Sequence, residues 1–193
     1  MKKFLIVFVL ALYSIHASAS DYSKVINGIL LIGSDSKDFN FKTPDKKGGT
    51  INYNLELYTN GSEKQYSLGI SFDRDKNCAM IPSFGTLLIK TSKGDVLDLK
   101  ALFVYDNYEG DTTCQGYFPI TEEQLNLIIE SGVAKFRLQM ITGEDSHETF
   151  AEKEWKTDEL GKNYKSMLAH VNKKCEKLKT KYLASQKSID SEF

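Results

Sequence analysis

The sequence predicts an α+β chain that is mainly β: an antiparallel, sandwich-like domain with one short helix and a long amphipathic C-terminal helix. Three observations carry this. Apolar residues alternate with polar ones over 51–57, 66–72, 97–105 and 134–140, the period of strands with one wet face. Turn residues divide the first three of these runs into hairpins, which favours antiparallel pairing over a parallel α/β core. Helical spacing of apolar residues appears after Thr121 and again after Asp158.

Residues 1–19 hold Lys2 and Lys3, an apolar run from Phe4 to Tyr13, and Ala17-Ser18-Ala19. That order is a cleavable secretory signal peptide. The run is shorter than the roughly 20 residues of a membrane-spanning helix, and no cysteine follows to carry a lipid. The expected organisation is signal peptide 1–19, β-rich domain 20–157, amphipathic helix 158–188 and flexible tail 189–193, in a chain that is secreted or periplasmic and not membrane-spanning. Without Lys2 and Lys3 the 25 basic residues fall to 23 against 26 acidic, a net charge of −3. No strong overall field follows, and secretion with an acidic main domain argues against a nucleic-acid partner.

Val25 to Ile32 is a short apolar run interrupted by Gly28, read as a first strand or an extended edge segment. Turn chemistry at Thr43–Gly49 leads into a strand with Ile51, Tyr53, Leu55 and Leu57 inward and Asn52, Asn54 and Glu56 outward. Asn60-Gly61 turns the chain into a return strand, with Tyr66, Leu68, Ile70 and Phe72 inward. A second hairpin pairs Thr86–Lys90 with Val96–Tyr105 around Ser92-Lys93-Gly94-Asp95. Its apolar face is Leu97, Leu99, Ala101, Phe103 and Tyr105.

At Thr121 every local signal agrees. Thr121 and Gln124 have capping-box spacing, Glu122 and Glu123 sit at the positive end of the helix dipole, and Ile120 with Leu125 forms a staple. Leu125, Ile128 and Ile129 share a face, and Gly132 can take the left-handed conformation past the end. Ala134, Phe136, Leu138 and Met140 then resume strand alternation, and Thr149–Lys156 is a candidate last strand. Three turns of helix are not stable alone in water, so this helix must lie on the sheet.

From Asp158, Tyr164, Leu168, Val171, Cys175, Leu178 and Tyr182 recur at alternating intervals of four and three, a heptad seam. Between Gly161 and Ser188 eight lysines face one acid, Glu176, giving +7, while Ser20–Leu160 carries 15 basic and 23 acidic residues, giving −8. The seam suits a lid on the acidic domain, and equally a helix offered to a partner or to a second copy. An anionic membrane surface fits less well, since the seam has no tryptophan or phenylalanine.

Cys78 and Cys114 end two loops of the β-domain and are expected to form a disulfide, which leaves Cys175 over at a seam position. That bridge would bring Asp73, Asp75 and Asn77 beside Asp106, Glu109 and Asp111, an oxygen-rich cluster of the kind Ca²⁺ prefers. The EF-hand pattern fails, because there is no glycine at its sixth position and Phe84 stands where the closing glutamate belongs. Tyr105 and Tyr108, with Tyr117 and Phe118 nearby, would offer rings for stacking on a sugar; the same composition describes two solvated, aromatic-capped turns. No C-x-x-C occurs, and His147 and His170 stand apart, so structural zinc is not expected. No carboxylate pair or triad is set in a motif that fixes its spacing, and no catalytic residue or resident cofactor is predicted.

Ile120-Thr121-x-Glu123-Gln124-Leu125 followed by Gly132-Val133-x-Lys135-Phe136-Arg137-Leu138 resembles a pattern of small uncharacterised secreted bacterial domains. They tend to share a preceding hairpin like Leu87–Lys90 with Gly94 and Leu97–Leu99, and a trailing helix. The resemblance covers about half the mature chain and implies a β-rich envelope or secreted domain, with no activity or catalytic residue to transfer. The leading functional expectation is a non-catalytic secreted or periplasmic protein-interaction domain with an envelope-binding or inhibitor-like role. A carbohydrate-binding or calcium-dependent adhesion module comes second and a hydrolytic enzyme third.

Overall fold

A computed structural model describes residues 22–26, 28–42, 48–73, 80–106, 113–142 and 147–190. Its strands are β1 (Tyr22–Ile26), β2 (Ile29–Gly33), β3 (Lys37–Lys42), β4 (Gly48–Thr59), β5 (Lys64–Asp73), β6 (Thr86–Thr91), β7 (Val96–Lys100), β8 (Phe103–Asp106), β9 (Thr113–Ile120), β10 (Val133–Thr142) and β11 (His147–Glu154). Helix α1 spans Glu122–Ser131 and α2 spans Glu159–Asp190. The chain is mainly β and antiparallel, with two helices among the described residues. No described helix is long and apolar enough to cross a membrane.

All eleven strands belong to one sheet, ordered β7-β6-β10-β11-β3-β4-β5-β9-β8, with the β1–β2 hairpin branching from β4. The described strands form a single sheet, and a sandwich of two packed sheets is not seen among the described residues. The reason lies in the length of β4: its first half pairs with β3 and its last four residues, Glu56–Thr59, pair with β2. The ends of the sheet are also consecutive in sequence. The Ala101 amide donates to the Gly85 carbonyl at 2.8 Å, on the β6 side, and the next amide, Leu102, donates to Tyr117 in β9 at 2.9 Å. The expected continuous strand 96–105 therefore breaks at Ala101–Leu102, and its second half crosses to β9. The sheet curls until its two edges meet.

The predicted alternation governs the helix-bearing face. Ile51, Tyr53, Leu55 and Leu57 of β4 and Tyr66, Leu68, Ile70 and Phe72 of β5 are all buried in one core, across a ladder running from Ile51–Phe72 to Thr59–Lys64. The run 25–32 resolves into two strands, since Ile26 pairs with Ile29 and leaves only two residues between them. Strands β3 and β9 had no counterpart among the expected elements, although β3 alternates clearly, Phe39 and Phe41 buried and Asp38 and Asn40 exposed.

Helix α1 begins as its residues require: the Thr121 side chain accepts from the Gln124 amide at 3.1 Å, and the Gln124 side chain accepts from the Thr121 amide at 3.0 Å. Gly132 ends it at φ 70°, a conformation that favours glycine. Leu125 and Ile128 enter the core. Helix α2 joins them through Leu160, Tyr164, Met167, Val171 and Cys175, with the Tyr164 ring 5.5 Å from that of Tyr53. The helices meet at Gly161, where a Cβ would lie 3.0 Å from the Ile128 carbonyl oxygen.

Candidate functional site

Among the described residues, two of the places where polar side chains from separate elements meet are candidate sites. The first is a groove of about 380 Å³ lined by Lys64, Gln65 and Tyr66 of β5, Pro119 and Ile120 of β9, and Thr121, Glu122 and Gln124 at the start of α1. The register Tyr66–Ile120 and Ser67–Pro119 lays the two strands side by side, and the capping box starts the helix at their end. From α2, the Asn172 side-chain oxygen accepts from Lys64 Nζ at 2.9 Å and from the Tyr66 hydroxyl at 3.3 Å. Burial and the charge of Glu122 push the Tyr66 hydroxyl up, against the Asn172 bond, so Tyr66 remains a neutral donor. With the capping box closed and two glutamates in its first turn, the helix end is poorly suited to an anion. The groove fits an apolar chain with hydrogen-bonding groups along its rim.

The second place lies on the face of the sheet that points away from the main core. Glu56, 1% exposed, accepts from the Tyr22 hydroxyl on one carboxylate oxygen and from the Tyr58 hydroxyl on the other. Asn54 is a further hydrogen-bond partner. Around them Ile29, Leu31, Tyr58 and Tyr117 form a second, smaller core, joined by Tyr22, Ile26 and Leu102. Glycines make the space. A Cβ at Gly33 would lie 2.4 Å from the Tyr22 ring, and one at Gly69 would lie 2.0 Å from the Asn54 amide oxygen. Ser67, directly across the ladder from Glu56, is fully buried, with no partner for its hydroxyl among the described residues. Burial pushes the Glu56 carboxyl up, against the three hydrogen bonds that favour its charged form. The Tyr22 and Tyr58 hydroxyls are raised by burial and then by the neighbouring carboxylate. Glu56 was expected to face solvent. It does point away from the main core, but the β1–β2 hairpin and its tyrosines bury it.

The helix seam turns inward. Tyr164, Val171 and Cys175 are buried in the main core, and Leu168 and Leu178 pack against it partly buried; the Tyr182 side chain lies outside the described residues. These five side chains serve the domain itself and do not form a free recognition face. Burial raises the Cys175 thiol despite Lys64 and Lys179, which disfavours the reactive thiolate.

Cys78, Asp75, Asn77, Tyr108, Glu109 and Asp111 lie outside the described residues, as do the side chains of Tyr105 and Asp106. Cys114 is buried in β9, and its sulfur accepts from the Ile81 amide at 3.3 Å. Asp73 pairs with Thr113 and Asp106 with Cys114, so β5 and β8 flank β9 where the two acidic segments leave the sheet. Among the described residues no three acids, histidines or cysteines are grouped to hold a metal. Tyr117 and Phe118 are buried and present no stacking surface.

The groove left no signal in the sequence, because its walls come from three segments. The buried carboxylate left a faint one: Tyr58 continues the supposedly wet face of Asn54 and Glu56, and Asn27-Gly28 is a two-residue hairpin signature that would have placed β1 and β2 beside them. The chain matches no protein-family model, no curated protein and no solved structure.

Proposed function

We propose that the protein is a non-catalytic interaction domain of the secreted or periplasmic space, delivered by residues 1–19 and binding an envelope or secreted protein. The groove between β5, β9 and α1 supports this reading, since the exposed ring of Pro119 lies beside the exposed polar side chains of Lys64 and Glu122. That combination suits a peptide segment with apolar anchors and a hydrogen-bonding backbone. The resemblance to small secreted bacterial β-rich domains agrees with it. Affinity capture from cell-envelope extract, with the chain beginning at Ser20 and its Lys64→Glu and Gln124→Ala variants, tests it. A partner held by the native chain and lost with both folded variants is expected; retention unaffected by either substitution would place the contact elsewhere.

A calcium-dependent or carbohydrate-binding role is a second reading. It is favoured by the strand order β5-β9-β8, from whose one end both acidic segments leave, and by Ile81, three residues past Cys78, bonding to Cys114. The Cys78–Cys114 disulfide would hold those segments together. A rise in Tm on adding calcium, lost in Asp73→Asn, is its expected result, and an unchanged Tm removes the metal.

A further inference from the structure

We propose that the outer face of β3, β4, β5 and β9 binds a neutral glycan laid across the strands, with Asp38, Asn52, Ser71 and Gln115 as its contact row. This rests on the carbohydrate form of the second reading, gives it a surface, and needs neither the groove nor calcium.

The register sets the row. Asp38 pairs with Asn52, Asn52 with Ser71 and Ser71 with Gln115. All four point away from the main core, since their strand neighbours Phe39, Ile51, Phe72 and Cys114 are buried in it. Three steps between strands make a line about 14 Å long, and β8 adds Tyr105 as a fifth register position. Each step is close to the advance of one pyranose unit along an extended oligosaccharide. At the Gln115 end the Tyr117 hydroxyl donates to Gln115 Oε1 at 3.1 Å, which orients the amide and leaves its hydrogens as donors.

The choice of residues on this face works against the sheet. Asp and Asn are poor strand formers, yet Asp38, Asn40, Asn52 and Asn54 all stand within β3 and β4. The outer face of β7, β6, β10 and β11 is built for water in the ordinary way, with Lys100 paired to Asp98 and Lys135 and Arg137 to Glu152. Strand preference given up repeatedly on one face, and not on the other part of the same sheet, is the mark of a binding surface. Amides and hydroxyls donate and accept, as sugar hydroxyls do, and Asn52, Ser71 and Gln115 are half-buried. Asp38 stands in the row and Asp73 lies two residues beyond Ser71, against Lys42 two residues beyond Asn40, so the local charge favours a neutral glycan over an acidic one.

The test is an array of neutral oligosaccharides of glucose, galactose, mannose and N-acetylglucosamine, with heparin fragments as the acidic control, probed in EDTA with the chain beginning at Ser20. Asn52→Val and Ser71→Val replace contact groups by a strong strand former. Both should fold with Tm unchanged or raised, while affinity for the retained neutral oligosaccharide falls about tenfold in each. If one variant fails to fold, the other decides. Retention in EDTA that neither substitution weakens overturns the proposal and leaves the carbohydrate reading with another surface. Binding that appears only with calcium and is lost in Asp73→Asn overturns it in favour of the acidic segments, and no retained oligosaccharide overturns both.

Discussion

Leu55 and Glu56 are neighbours on β4, both almost fully buried and opposite in chemistry. Leu55 faces the large core under the two helices, where each strand contributes alternate apolar residues and burial is its own driving force. Glu56 faces the small core under the β1–β2 hairpin, where burial costs free energy and is offset by two tyrosine hydroxyls and an amide. One side of the sheet is held by packing that tolerates small errors of shape. The other is held by a hydrogen-bonded cluster in which every partner matters.

Truncating one residue on each side separates the two cores. Phe72→Ala, in the large core, should cost about 3–5 kcal/mol by chemical denaturation, at any pH where the protein folds. Glu56→Ala should cost about 2–4 kcal/mol, because it leaves the Tyr22 and Tyr58 hydroxyls buried without their acceptor. Glu56→Gln keeps an acceptor and should cost less.

Acidity separates the two sides further. The folded-state pKa of Glu56 is raised, so its favourable contribution is full below about 4.5 and is lost as pH rises through the folded value. Denaturation midpoints measured from acid to neutral pH should therefore show Glu56→Gln gaining on the native chain as pH rises. Parallel curves would mean the carboxyl titrates alike in the folded and unfolded chains.

Gly33→Ala tests the space under the Tyr22 ring without touching a polar group. The added methyl would meet the Tyr22 ring, and we expect a loss of about 1–3 kcal/mol in stability, with β1 released first. Loss of an exposed polar group should cost less: Thr121→Ala removes the α1 cap and should lower stability by about 1 kcal/mol, with no change in its pH dependence.

This contrast also explains how far the chain could be read in advance. The alternation of Ile51–Leu57, Tyr66–Phe72 and Phe136–Met140, the capping box at Thr121 and the stop at Gly132 are local patterns, and each specified its element, while a register shift at Ala134 puts Val133 in the core in its place. The single curled sheet was not local: Leu97, Leu99 and Ala101 alternate without interruption up to the point where the chain leaves β6 for β9, so nothing in the pattern marks the crossing. The small core failed to appear for a related reason. Its members come from β1, β2, β4, β9 and Leu102, and a glutamate in an alternating strand is ordinarily a wet residue. The seam of α2 was visible as a stripe, but a stripe does not say whether it meets its own domain or another molecule.

The most direct test of the claim that Tyr22 and Glu56 hold the N-terminal hairpin is residue-resolved amide hydrogen exchange in the native chain and in Tyr22→Phe. We predict that protection falls selectively at β1 and β2, while the amides of the β4–β5 ladder between Ile51 and Leu55 keep theirs. Equal loss across both regions, or no loss at β1, would contradict it.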